Sequence, residues 1–118
     1  MQVMQKTLAN RLLSFVQSAS KTKVTMVLIK ATWCNACTKV EPTWDSMSEL
    51  MPTVTWVKYD ESDATTKALM KKLNTESFPS IYRFENEKVT KLESHTRTVG
   101  VLKEFAEGVA VSQNAALA

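Results

Sequence analysis

Cys34 and Cys37 are the only cysteines in the chain, with Asn35 and Ala36 between them. Two thiols at this spacing can close into a disulfide and open again, giving up and accepting two electrons. A permanent staple here would close a very short loop, and short loops remove little entropy from the unfolded chain. A structural zinc site needs four protein ligands. With two Cys and the single His95, only carboxylates or a second chain could complete one, and no metal is expected. A Cys-x-x-Cys pair beside a strand–helix pattern reads instead as a redox dithiol.

That pattern is present. Residues 23–31 (KVTMVLIKA) are β-branched and apolar enough for a buried strand. From residue 34 to about 51 a helix is predicted, with Cys37, Val40, Trp44, Met47 and Leu50 or Met51 on one side. Trp33-Cys34-Asn35-Ala36-Cys37 thus falls where a strand passes into a helix. Free backbone N–H groups and the positive end of the helix dipole stabilise a thiolate there, and the thiolate is the nucleophile. Cys34, first and more exposed, is the expected nucleophile, and Cys37, one turn in, the resolving thiol. Trp33 is expected to form a partly exposed wall of the site.

The remaining elements must hold this turn in place. An amphipathic helix is predicted over 1–19, with Leu8, Leu12, Phe15 and Val16 on one face. A strand is predicted over 53–59 (TVTWVKY), and a helix over 63–73 with Ala64, Ala68, Leu69 and Leu73 inward and Ser62 as its cap. Residues 80–85 and 88–93 alternate and pair as a hairpin around Asn86. The last helix runs over 98–109 with Val101, Leu102, Phe105 and Val109 inward. Pro42 should kink the helix that carries the cysteines. Trp44 and Trp56 read as core. The sum is an α/β sandwich: a central mixed sheet flanked by helices in one domain over 1–110, with 111–118 a fraying tail.

Trp33-Cys34-x-x-Cys37, Lys39 just after it, Pro42 five residues past Cys37, Ser77-Phe78-Pro79-Ser80-Ile81, Phe84, and Arg97-Thr98 ahead of Leu102 and Phe105 together resemble the thioredoxin superfamily. The likeness is greatest to a protein disulfide isomerase catalytic domain and covers roughly 23–108. It implies a thioredoxin-like fold and thiol–disulfide exchange with protein disulfides or dithiols, through Cys34 and Cys37. It also implies a cis Phe78–Pro79 bond beside Cys34. A proline has no N–H, and the backbone of Phe78 is then free to pair with an extended peptide, so Trp33, Phe78 and Pro79 are the implied substrate contacts. Asn35, Ala36, Lys58 and Arg97 are implied supporting residues.

Some positions depart from the family pattern. The carboxylate that the family buries six residues before the first cysteine is replaced by Leu28, which leaves Cys37 without an obvious general base. Asn35-Ala36 stands where thioredoxins have Gly-Pro and isomerases Gly-His, so the pair does not place the reduction potential. His95 stands where the family has Gly and reads as an exposed loop residue. Lys30 reads as a surface lysine, and Lys58 as the family's strand lysine, placed to help a thiolate electrostatically. The missing carboxylate motivates a second reading, a non-catalytic adaptor that captures extended peptides at the Pro79 loop.

Bulk composition removes other classes. The chain has 118 residues, 44% of them apolar and 23% charged, enough for one buried core and too few for two. A net charge of +3, with Lys and Arg spread along the chain and no aromatic–basic motif, gives no reason to expect nucleic acid. No apolar stretch approaches the ~20 residues of a membrane span, and Asn10, Arg11 and Ser14 interrupt the apolar run near the N-terminus. The expectation is a cytoplasmic monomer without a cofactor, restored by a thiol reductant or reductase.

Overall fold

The computed structural model describes residues 24–109. The helix expected over 1–19 and the tail expected over 111–118 lie outside the described residues. Thr25–Lys30 forms strand β1, Asn35–Leu50 helix α1, Thr55–Asp60 strand β2 and Ala64–Leu73 helix α2. Ser80–Glu85 and Lys88–Lys91 form strands β3 and β4, and Val99–Glu107 forms helix α3.

The strands lie in the order β2-β1-β3-β4. β1 pairs parallel with β2 and antiparallel with β3, and β3 pairs antiparallel with β4. The sheet is therefore mixed, with the most apolar strand between two partners, as its run of buried residues requires. A parallel pair cannot be joined by a tight turn, and α1 is the crossover between β1 and β2. The tight connection is kept for β3 and β4, where Asn86 and Glu87 both take positive φ, 51° and 65°, the twist a two-residue hairpin favours.

Alternation along the strands divides the core into two layers. Met26, Leu28 and Ile81 face α1 and α3, meeting Val40, Trp44 and Phe105. Val27, Ile29, Tyr82 and Phe84 face α2 and meet Leu69. Trp44 is buried and packs edge-to-face on the half-buried Trp56, with ring centroids 5.1 Å apart. The thioredoxin-like sandwich expected from the sequence is the fold observed.

Several local expectations are corrected. Helix α2 starts one residue later than predicted, with Asp63 at its N-cap position but making no side-chain cap hydrogen bond. Ser62 does not cap it, because its hydroxyl and N–H both donate to the Asp60 carboxylate. Ala64 is exposed and Thr66 takes the inward position. Of the two alternatives at the end of α1, the half-buried Met51 packs on the core as expected and Leu50 is exposed. Val109 is exposed too, since α3 ends at Glu107 and Gly108 turns the chain away with φ 82°. Pro42 lies inside α1, where the sequence placed it. β4 stops at Lys91, although Leu92 still donates its N–H to Ile81 O.

Candidate active site

β1 ends at Lys30, and the turn Ala31–Cys34 closes with Cys34 N donating to Ala31 O at 3.1 Å. Cys34 is then the N-cap of α1, in an extended conformation at φ −95° and ψ 112°. A helix leaves its first N–H groups without intrahelical partners. One of them, the Cys37 N–H, donates to Cys34 Sγ at 3.1 Å. The sulfur thus occupies the place that a capping oxygen takes at other helix starts.

Both cysteines are free thiols. Cys34 is 8% exposed and Cys37 fully buried, so the predicted order of exposure holds, but Cys34 is less open than the sequence suggested. Ala31 and the half-buried Phe78 pack around both. Burial first, and then the hydrogen bond with Cys34, push the Cys37 thiol up from 9.0 to about 11, and the negative charge of Glu41 adds to the rise. At about pH 8, iodoacetamide is therefore expected to label Cys34 and spare Cys37, because the thiolate is the reactive form. Peptide mass mapping that finds equal labelling would contradict this asymmetry.

The register between β1 and β3 sets Ile29 opposite Ser80. That brings the segment ahead of β3, including Phe78 and Pro79, to the end of β1 from which Cys34 follows. The Phe78–Pro79 peptide bond is cis and Pro79 is buried. Trp33 is 68% exposed and meets Phe78 edge-to-face, with centroids 5.6 Å apart. Its indole N–H donates to Glu61 at 3.4 Å. Trp33 and Phe78 thus form an apolar wall next to the dithiol, and Asn35 and Ala36 stand exposed between the cysteines.

Arg97 and Ala36 come together. With Lys39, Val40 and Thr98 they line an open cleft of about 260 Å³ between the starts of α1 and α3. Arg97 Nη1 donates to His95 O at 3.1 Å, and His95 is exposed as expected. Lys58 is held between two carboxylates. Its ammonium lies 3.0 Å from Glu41 and 2.9 Å from Asp45, and these two carboxylates raise its pKa, Asp45 the more. Lys30 is no free surface lysine either: it is 3.3 Å from Asp60 and 3.8 Å from Glu41. The hydrogen bonds from Ser62, and after them Lys30, hold the Asp60 carboxyl below its ordinary range. Leu28 is fully buried in the core layer under α1. Sequence reasoning passed over Glu41, although its place four residues after Cys37 on a helix was a usable signal.

Among the described residues no group of three or more His, Cys, Asp or Glu side chains gathers to hold a metal. None of their helices is long and apolar enough to cross a membrane.

A curated relative, a thioredoxin domain-containing protein of Theileria parva, is 29% identical over 97 residues, 81% of this chain and 43% of that protein. The chain thus spans less than half the length of that relative. Thioredoxin from Fasciola hepatica superposes with a TM-score of 0.70 at 17% identity, covering 83% of this chain and 91% of that one. A chain in the crystal structure of the ferredoxin:thioredoxin reductase and thioredoxin f2 complex superposes with a TM-score of 0.70 at 19% identity, covering 85% of this chain and 88% of that one. At such identities these two structures show a shared fold. The family model for thioredoxin matches residues 4–108. With that match over most of its length, the chain belongs to the thioredoxin family.

Proposed function

We propose that this protein is a thiol–disulfide oxidoreductase that exchanges disulfides with protein substrates through Cys34 and Cys37. The observation that carries the reading is Cys34 Sγ at the N-cap of α1, accepting the Cys37 N–H at 3.1 Å. In the reducing direction the Cys34 thiolate attacks a substrate disulfide, forms a mixed disulfide and releases one substrate thiolate. Cys37 then loses its proton and attacks Cys34 Sγ. The Cys34–Cys37 disulfide forms and the second substrate thiolate leaves. Two electrons have passed to the substrate, and a thiol reductant or a reductase must return them. A fold neighbour solved in a complex with a reductase supports that kind of partner. Trp33, Phe78 and Pro79 hold the substrate segment, with Arg97 at the margin of the site. The protein acts as a cytoplasmic monomer, in a compartment where dithiols are kept reduced.

Equilibration against glutathione redox buffers, followed through Trp33 fluorescence, tests the reading. The pair is expected to cycle. A midpoint near about −270 mV would place it with reductants, and one near about −180 mV with oxidants and isomerases. A pair that never cycles would overturn the proposal and leave peptide capture at the Pro79 loop as the function.

A further inference from the structure

The exchange reading requires a fully buried thiol to lose a proton. With its pKa at about 11, Cys37 holds on the order of one thiolate in ten thousand near pH 7. It has no exposed surface from which bulk water could take the proton. Leu28 is apolar and packed under α1, so it offers no acceptor.

Glu41 meets the requirements. It lies one turn beyond Cys37 on α1, and side chains four apart on a helix stand with Cβ atoms about 5–6 Å apart. It reaches solvent as well, since its side chain is 28% exposed. Its carboxylate is fixed from the sheet below: Oε2 is 3.0 Å from Lys58 Nζ on β2, and Oε1 is 3.8 Å from Lys30 Nζ on β1. The two lysines are themselves anchored, Lys58 by Asp45 on α1 and Lys30 by Asp60 on β2. Glu41 is also the carboxylate whose charge acts on Cys37.

We propose that Glu41 is the proton acceptor of the resolving step, taking the Cys37 proton directly or through one water, with Lys30 and Lys58 as the residues that position it. This inference rests on the dithiol-exchange reading. The Cys37 S–H bond breaks and its proton goes to the Glu41 carboxylate. The sulfur electron pair forms the bond to Cys34 Sγ, and the Cys34–substrate S–S bond breaks as the substrate thiolate leaves. Glu41 then passes the proton to solvent.

A single turnover with 5,5′-dithiobis(2-nitrobenzoate) separates the steps, because attack by Cys34 releases one coloured thiolate and resolution by Cys37 releases a second. In Glu41→Gln the first release is expected to be little changed and the second slower on the order of 10²-fold. The sign is diagnostic. Gln removes a negative charge that disfavours ionisation of Cys37, so a purely electrostatic Glu41 predicts faster resolution in the variant. Glu41→Asp should recover part of the rate, and added formate should recover part of it in Glu41→Ala, with unchanged circular dichroism throughout. A second release as fast as wild type, or faster, overturns the inference. Slowing that neither Asp nor formate relieves makes Glu41 a structural residue and overturns it too. Absence of the first release from the wild-type protein would instead overturn the exchange reading itself.

Discussion

Cys37→Ser is expected to turn the protein into a trap, and Cys34→Ser to abolish turnover. Cys34 keeps its place at the N-cap of α1 in the first variant, and the hydrogen bond it accepts comes from the backbone N–H of residue 37, not from a side chain. The first attack therefore survives, but a serine hydroxyl does not displace the substrate thiolate, and the mixed disulfide accumulates. In the second variant no nucleophile remains at the surface, since Cys37 has no exposed area. Loss of an essential nucleophile costs on the order of 10⁴-fold or more in turnover. Insulin reduction measures that loss, and non-reducing electrophoresis with mass analysis detects the trapped adducts. Cys34→Ser protein with full turnover would remove the assignment of Cys34, and Cys37→Ser protein without adducts that of Cys37.

The parts legible in the sequence were those that depend on neighbours along the chain. The buried strand, the helix opening at Cys34 and the inward face Cys37, Val40, Trp44 and Met47 follow from local spacing, and the structure reproduces them. Errors gathered at element ends. Ser62 looked like a cap because of its type, yet the nearby Asp60 carboxylate takes both its donors. Val109 continued the apolar period of α3, but the helix had already stopped. The charge network was out of reach for another reason. Glu41 meets Lys58 across 17 positions, and Lys30 meets Asp60 across 30. Periodicity assigns a residue to a face, whereas strand register decides which residue of another strand lies beneath that face. Lys30 and Asp60 face each other because β1 and β2 pair in that register. The same register sets Lys30 and Lys58 side by side as a platform for Glu41.

Leu28 is fully buried where the resemblance implied a carboxylate, and Leu28→Asp makes the consequence measurable. The side chain has no exposed area and sits among Val40, Trp44, Ile81 and Leu102. An ionised carboxylate there would be buried without a partner, since Lys30 and Lys58 are already held by Asp60, Glu41 and Asp45. Leaving a buried charge uncompensated costs about 3–5 kcal/mol. Burial also raises a carboxyl pKa in the folded state, which sets the sign with pH. Below the unfolded-state value of about 3.9 the carboxyl is neutral in both states, and only the lost apolar packing is felt. As pH rises through that value, the unfolded chain ionises first and folding is increasingly disfavoured, until the folded-state group ionises as well. Urea unfolding of wild type and Leu28→Asp is therefore expected to show a modest difference near about pH 4 and a larger one near about pH 7. An equal difference at both would mean that the carboxylate finds a charge partner or water at this position. The lysine platform would then still be able to serve a second acid, as it serves Glu41.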